Sequence, residues 1–205
     1  MEAFTTRRVL FYDFETTGLP LWRESDDYPG QPHIVELYAE LCEGSEQRSV
    51  LHLIAKPEGW TIPAEVTAIH GMDDAYATAF GVSEKLIAAA LLALSRQAHI
   101  RCAHNESFDS RIMQIALARH QPAALPEWCA GRAFCTCDAA TEVLKLPPTE
   151  KMVAKGINKP KRASLGEAFN GLVPDKSFQE THRAAHDVWA MQQVYFELMR
   201  MKEAA

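Results

Sequence analysis

Arg8-Val9-Leu10-Phe11-Tyr12-Asp13-Phe14-Glu15-Thr16-Thr17-Gly18-Leu19 is the stretch on which the reading of this chain turns. Its β-prone apolar run, Val9 to Tyr12, predicts a strand over 8–14 near the centre of a sheet. The strand ends in two acids, Asp13 and Glu15, whose spacing of two puts both carboxylates on one face. Such an ending is costly unless a counter-charge neutralises it. A hard divalent cation, which prefers carboxylate oxygen and water, does so. Composition alone supplies a pair like this about once in a chain of this length, so the pair by itself decides nothing. The next residues add to it. Thr16 and Thr17 bring hydroxyls, Gly18 admits close backbone approach, and Leu19 offers an apolar wedge. Together they suit a terminal nucleotide, with donors for a phosphate or 3′-hydroxyl and a surface for the base.

Outward from this strand, 34–42 and 50–55 read as two more strands. Between them and the first lies a loop, Pro20 to Pro32, with three prolines, Gly30 and Asp26-Asp27. A short helix over 63–69 has proline in its first turn and ends at Gly71. A second, 82–94, places Leu86, Ala90 and Leu94 on one face. A strand over 99–103 then leads to a helix with Asn105 as its N-cap and Phe108, Ile112 and Ile115 at helical spacing. Further on come a strand at 133–137, helices at 139–146 and 164–169, and a long helix at 184–201. Three strands followed by alternating helices and strands describe an α/β architecture, a mixed sheet with helices packed on it. At 205 residues the expectation is one domain, 1–205.

Composition limits the function classes. With 47% apolar and 23% charged residues the chain has the make-up of an ordinary soluble globular protein. No stretch approaches the roughly 20 apolar residues that span a bilayer. The N-terminal residues 1–8 lack a signal-peptide apolar region, so no membrane role is expected and the location expected is cytoplasmic. Five cysteines, an odd count, fit reduced thiols. The close pair Cys135 and Cys137 lacks a second pair at zinc-site spacing and reads as free thiols. A net charge of −6 argues against a whole-surface nucleic-acid binder. It does not exclude an enzyme whose bound cations meet the phosphates. Lys151, Lys155, Lys159, Lys161 and Arg162 run against the acidic background, as either a solvated loop or a patch tracking a phosphate backbone.

Two further acidic points follow. Asp109 lies one turn into the helix after Asn105, where the helix N-terminus and a metal both favour negative charge. Asp187 opens the last helix, and His182, five residues earlier, falls on the preceding loop, free to take a proton from water. His186 is the rival base. Its adjacency to Asp187 turns it about 100° around the helix, facing elsewhere.

Asp13 and Glu15, Asp109, and His182 with Asp187 together resemble the three motifs of the DEDDh (DnaQ-like) 3′→5′ exonuclease family. That family includes the proofreading subunit of bacterial DNA polymerase III, ribonuclease T and oligoribonuclease. The tyrosine variant of the family would carry Tyr where Arg183 stands; His182 matches the histidine variant. Glu65 to Met72, Ala103 to Asp109 and Ser164-Leu165-Gly166 are similar to lesser family segments. The resemblance implies a ribonuclease H-like fold with a five-stranded mixed sheet. It also implies two Mg2+ or Mn2+ ions held by Asp13, Glu15, Asp109 and Asp187, with His182 as general base. Thr16, Thr17, Gly18, Leu19, His70, Asn105 and Phe108 would line the pocket for the last nucleotide. The substrate implied is a nucleic-acid 3′ end, with DNA favoured because Ile69-His70-Gly71 looks closer to the proofreading branch. A polymerase or other replication protein would be a partner of that branch. An exoribonuclease of the ribonuclease T type is the alternative, since discrimination depends on how the pocket treats a 2′-hydroxyl. A non-catalytic domain of the same fold would have little reason to keep all four acids and His182. The long Pro20–Pro32 loop and the basic loop before Ser164 depart from the compact members.

Overall fold

The computed structural model describes residues 7–174, 176–179 and 181–204. The leader reading falls largely on residues 1–6, which lie outside them. Strand β1 (Arg8–Thr16) is buried on both faces and partnered on both edges. β2 (Ile34–Glu43) pairs with it antiparallel, and β4 (Ile100–Ala103) pairs with it parallel. β3 (Glu46–Ile54) lies beyond β2 and β5 (Ala133–Cys135) beyond β4, so the five strands run β3-β2-β1-β4-β5. The mixed sheet expected from the strand order is the one observed. β3 begins four residues before the expected Val50, because its first residues are exposed and polar and carry no apolar signal.

The helices, among the described residues, are α1 (Ala64–His70), α2 (Asp74–Phe80), α3 (Glu84–Ser95), α4 (Glu106–His120), α5 (Leu125–Ala130), α6 (Thr136–Leu144), α7 (Glu150–Ala154), α8 (Leu165–Leu172) and α9 (Ala184–Glu203). Several expectations need correction. β5 ends at Cys135 and α6 begins at Thr136, three residues before the expected 139, so Cys137 is helical, and the stretch expected as the basic loop holds α7. The inward stripe of α3 is Ile87, Ala88, Leu91, Leu92 and Leu94, while Leu86 is 52% exposed. Ser83 caps α3 through its side chain, and that fixes the start of the helix two residues after the expected one. Asn105 does precede α4, but in a left-handed conformation (φ 69°) and without a side-chain capping bond. Its Oδ1 instead accepts from Arg162 at 2.8 Å.

The sheet's two faces are filled by different helices. Phe11 packs edge-on against Tyr195 of α9, with ring centres 5.2 Å apart. Tyr12, on the other face, packs against Trp128 of α5 at 5.8 Å. Asp13 and Glu15 share the parity of Phe11 and so turn toward α9. Four residues of strand cover roughly 13 Å, and eight residues of helix roughly 12 Å. With Tyr195 over Phe11 and the helix antiparallel to β1, Asp187 is thereby carried to the level of Glu15. No described helix is long and apolar enough to cross a membrane.

Candidate active site

The acids meet where β1 outruns its neighbour β4. Pairing between these strands stops at Phe11 opposite Cys102, and α4 begins three residues after β4 ends. The Phe14 N–H beyond that point is taken by Asp109 Oδ1 at 3.2 Å. Asp109 is 1% exposed and is held against the strand directly behind Asp13. On the other side, one ligand atom each of Glu15 on β1, His182 on the loop before α9 and Asp187 in the first turn of α9 lie within 4.8 Å of one another.

This arrangement is electrostatically unfavourable by itself. Burial, followed by the charges of Asp187 and Glu36, pushes the Asp13 carboxyl well above the usual carboxylate range. Glu15 rises to about 9 through burial, then Asp13, Asp187 and Glu36, with Arg183 opposing. Asp109 rises through burial and Asp13 against the pull of the Phe14 N–H. Carboxyl groups that resist ionisation alone become good ligands once a cation balances them. An oxygen-rich donor set with a single imidazole suits a hard ion such as Mg2+ or Mn2+. Asp13, Glu15, Asp109 and Asp187 fit that demand.

Glu36 was not anticipated. It lies directly across β1 and β2 from Glu15 and is fully buried. Its carboxylate accepts from Arg183 Nη2 (3.2 Å), the Ala184 N–H (3.3 Å) and His52 Nε2 (2.7 Å). Glu36 therefore ties the start of α9, and the loop bearing His182, to the sheet. The signal available in sequence was an acid in a strand otherwise apolar, Ile34-Val35-Glu36-Leu37.

His182 is exposed and adopts φ 50°, a left-handed conformation that a non-glycine residue seldom takes. His186 faces elsewhere: it bonds Thr181 Oγ1 at 2.8 Å and stacks on Trp189 with rings 5° from parallel. Asp13, Glu15, Asp187 and His182 open into a cleft of about 470 Å³ lined also by Thr16, Gly18, Leu19, His70 and Phe108, with Asp109 buried behind it. Val66 and Ile69 of α1 complete its apolar wall. His70 is buried, and its Nδ1 accepts the Met72 N–H at 3.1 Å, so the proton resides on Nε2. Burial lowers its pKa further below the ordinary value and keeps it neutral. Nε2 has no hydrogen-bond partner among the described residues, which leaves a neutral donor on the cleft wall.

Two of the expected pocket residues are used otherwise. The Thr17 hydroxyl accepts the His33 N–H at 2.9 Å and closes the base of the following loop. Asn105 is held by Arg162 outside the cleft lining. Of the basic stretch, Lys161 pairs with Glu167 and Arg162 with Asp138, which leaves Lys151, Lys155 and Lys159 exposed.

A family profile described as Exonuclease, that of RNase T, matches residues 10–195. Among solved structures, the zinc-bound complex of Escherichia coli exonuclease I with single-stranded DNA is 17% identical, with a TM-score of 0.69. It covers 97% of this chain and 42% of its own. The same enzyme with a dA16 oligonucleotide gives 17% identity and a TM-score of 0.69 over 96% and 41% of the two chains. Its apo form gives 17% and 0.66 over 96% and 42%. The likeness is one of fold, and the chain spans about two fifths of the length of these neighbours. Comparison with curated proteins finds no match.

Proposed function

The chain belongs to the RNase T exonuclease family, the DnaQ-like 3′→5′ exonucleases, with their ribonuclease H-like fold, and from this premise we propose that it hydrolyses DNA from the 3′ end to nucleoside 5′-monophosphates in proofreading or repair. The observation that carries the reading is the convergence of Glu15, Asp187 and His182 beside Asp13 at the edge of an open cleft. The single-stranded DNA bound by E. coli exonuclease I supports DNA as the polymer.

Asp13, Glu15, Asp109 and Asp187 would hold two divalent ions, Mg2+ or Mn2+. Bound there, such ions polarise a scissile phosphate, acidify water and stabilise the leaving 3′-oxygen. His182 takes the proton from the attacking water, a role contributing typically 10²–10⁴-fold. Its exposed position, on a loop anchored through Arg183 to Glu36, lets it meet solvent water without leaving the carboxylates. Leu19, Ile69 and Phe108 enclose the terminal base, and neutral His70 donates from Nε2 to the nucleotide.

The test incubates the protein with 5′-labelled DNA and RNA oligonucleotides of one sequence, with Mg2+, Mn2+ or EDTA. Stepwise shortening of DNA that requires metal and disappears in Asp13→Ala is expected. Preferential shortening of RNA would replace DNA by RNA as substrate. Failure to shorten either with both metals would sink the proposal.

A further inference from the structure

Beside the cleft stands an ordered structure that the hydrolytic machinery does not use. The Pro20–Pro32 loop is closed at its base by Thr17 and His33, whose backbones also bond at 3.0 Å. Gln31, 2% exposed, fills its interior. The Gln31 Oε1 accepts the Leu21 N–H at 3.0 Å, and its Nε2 donates to the carbonyls of Leu21 (3.1 Å) and Ser25 (3.0 Å). From α4, Arg111 donates to the Glu24 carbonyl at 2.7 Å and pairs with Asp26 at 2.5 Å. A loop of this length with so many internal bonds is a built element, and such loops are commonly functional.

What it displays is unusual for a surface loop. Trp22 is 58% exposed, Tyr28 43% and Leu21 42%, around a concavity of about 430 Å³ that also includes Pro20 and Arg23. The Tyr28 ring is seated on Gly30, where an added Cβ would lie 2.7 Å from Cε1, so glycine is needed for the ring to rest there. Arg23 forms no ion pair among the described residues and is free to meet a phosphate. This surface continues the cleft. Gly18 and Leu19 line the cleft, Pro20 and Leu21 the loop concavity, and Leu19, 77% exposed, forms the rim between them. Phe108 on the cleft wall and Arg111 holding the loop are one turn apart on the same face of α4. Three peptide steps carry the chain from Leu19 to Trp22, no more than roughly 11 Å. At roughly 3.4 Å per stacked base, that reach is of the order of the next three nucleotides.

We propose that this loop is a second subsite, on which the bases just 5′ of the terminal nucleotide stack against Trp22 and Tyr28 while Arg23 meets their backbone. The proposal rests on the exonuclease reading and goes beyond it by naming a single-stranded end as the form bound. Stacking on aromatic rings is tolerant of sequence, which suits an enzyme that must advance through any sequence. It also gives an acidic protein a means of holding single-stranded nucleic acid that does not rest on cations alone.

The experiment compares two substrates of the metal-loaded protein. A fluorescent single-stranded pentanucleotide would span cleft and loop, whereas the 4-nitrophenyl ester of thymidine 5′-monophosphate would occupy the cleft alone. In Trp22→Ala/Tyr28→Ala, KM for the pentanucleotide should rise roughly 10- to 100-fold, with kcat nearly unchanged and the ester hydrolysed as by wild type. Trp22→Phe, which keeps a ring, should restore most of that binding. An unaltered pentanucleotide KM overturns the subsite, as it would if the loop served a protein partner. An equal loss on both substrates also overturns it, placing the effect in the cleft or the fold. A wild-type protein inert on both substrates sinks the exonuclease reading, and the subsite with it.

Discussion

His182 carries two roles that a substitution can separate. Its φ of 50° makes alanine there a strained backbone as well as a missing imidazole. Asparagine tolerates the left-handed region, so His182→Asn removes the base and leaves the loop conformation intact. We expect its kcat to fall roughly 10²- to 10⁴-fold with little change in KM. His186→Ala should keep kcat within about twofold, because that ring packs with Phe178 and Trp189. Steady-state kinetics on a labelled oligonucleotide decides, and the reverse pattern would exchange the two assignments. Arg183 tests the anchor. Arg183→Ala leaves Glu36 with His52 and the Ala184 N–H alone, and frees the stretch bearing His182. A displacement near 1 Å at a reacting group can cost on the order of 100-fold. The expected loss is therefore in kcat, with Tm only slightly lowered since Arg183 is 46% exposed. An unchanged kcat would show that α9 holds His182 without this bond. Asp13 with Glu15, and His182 with Asp187, were legible because the members of each pair are only a few residues apart in sequence. Glu36 was not, because its importance arises from the register of β1 against β2, which places it opposite Glu15.

Among the elements, α9 and β1 were the most legible, since a long apolar period and a β-prone run leave little choice. The short α2, α5 and α7 were missed for a common reason. α2 and α5 each bury a single residue, Ala77 and Trp128 respectively, and α7 buries no residue at all, so all three lack an apolar stripe. The contact that joins α3 and α4 to the end of the aromatic loop was equally hidden. Glu84, 3% exposed, receives the Ile34 N–H at 2.9 Å, His33 at 3.1 Å, His120 at 2.9 Å and Arg119 at 3.2 Å. Burial alone would raise its carboxyl. Hydrogen bonding and charge from His33, the charge of Arg119 and the Ile34 N–H outweigh that and bring it down to about 2. A carboxylate whose folded pKa lies below its unfolded value stabilises above the unfolded pKa and loses that stabilisation as pH falls through the folded one. From the ordinary 4.5 to about 2, this amounts to about 3 kcal/mol in order of magnitude. Glu84→Gln should therefore lower stability to urea by about that amount at pH 7. The gap from wild type should shrink between about pH 4.5 and about pH 2. A gap that stays constant over that window would assign the loss to packing alone.

At the scale of the whole molecule, the site is a destabilising feature that the rest of the fold holds in place. One continuous core joins Phe11 and Leu37 of the sheet to Leu91 of α3 and Val194 of α9. It presses Asp13, Glu15, Asp109 and Asp187 together at one edge. Strain of this kind at a working site is commonly offset elsewhere in the fold. A carboxyl whose folded pKa is raised stabilises fully below its unfolded pKa and loses that contribution as pH rises through the folded value. With Glu15 lifted from 4.5 to about 9, and Asp13 and Asp109 lifted as well, metal-free protein should lose Tm steadily between pH 5 and 9. That window lies above the one set by Glu84, so the two effects are separable in a single titration. Divalent metal should flatten the slope, because an ion bound only by the folded state stabilises it by about 2.7 kcal/mol at 100 times its Kd. Asp13→Asn makes the sharper test, since it removes a mutually repelling charge and a ligand at once. In EDTA at pH 8 it should melt above wild type, at pH 5 close to it, and Mn2+ should no longer raise its Tm. Such a variant would be more stable and inactive, as expected where a site trades stability for function. A metal-free Asp13→Asn that melts below wild type at pH 8 would show that these carboxylates support the fold, leaving the case for a cation-demanding site without its electrostatic basis.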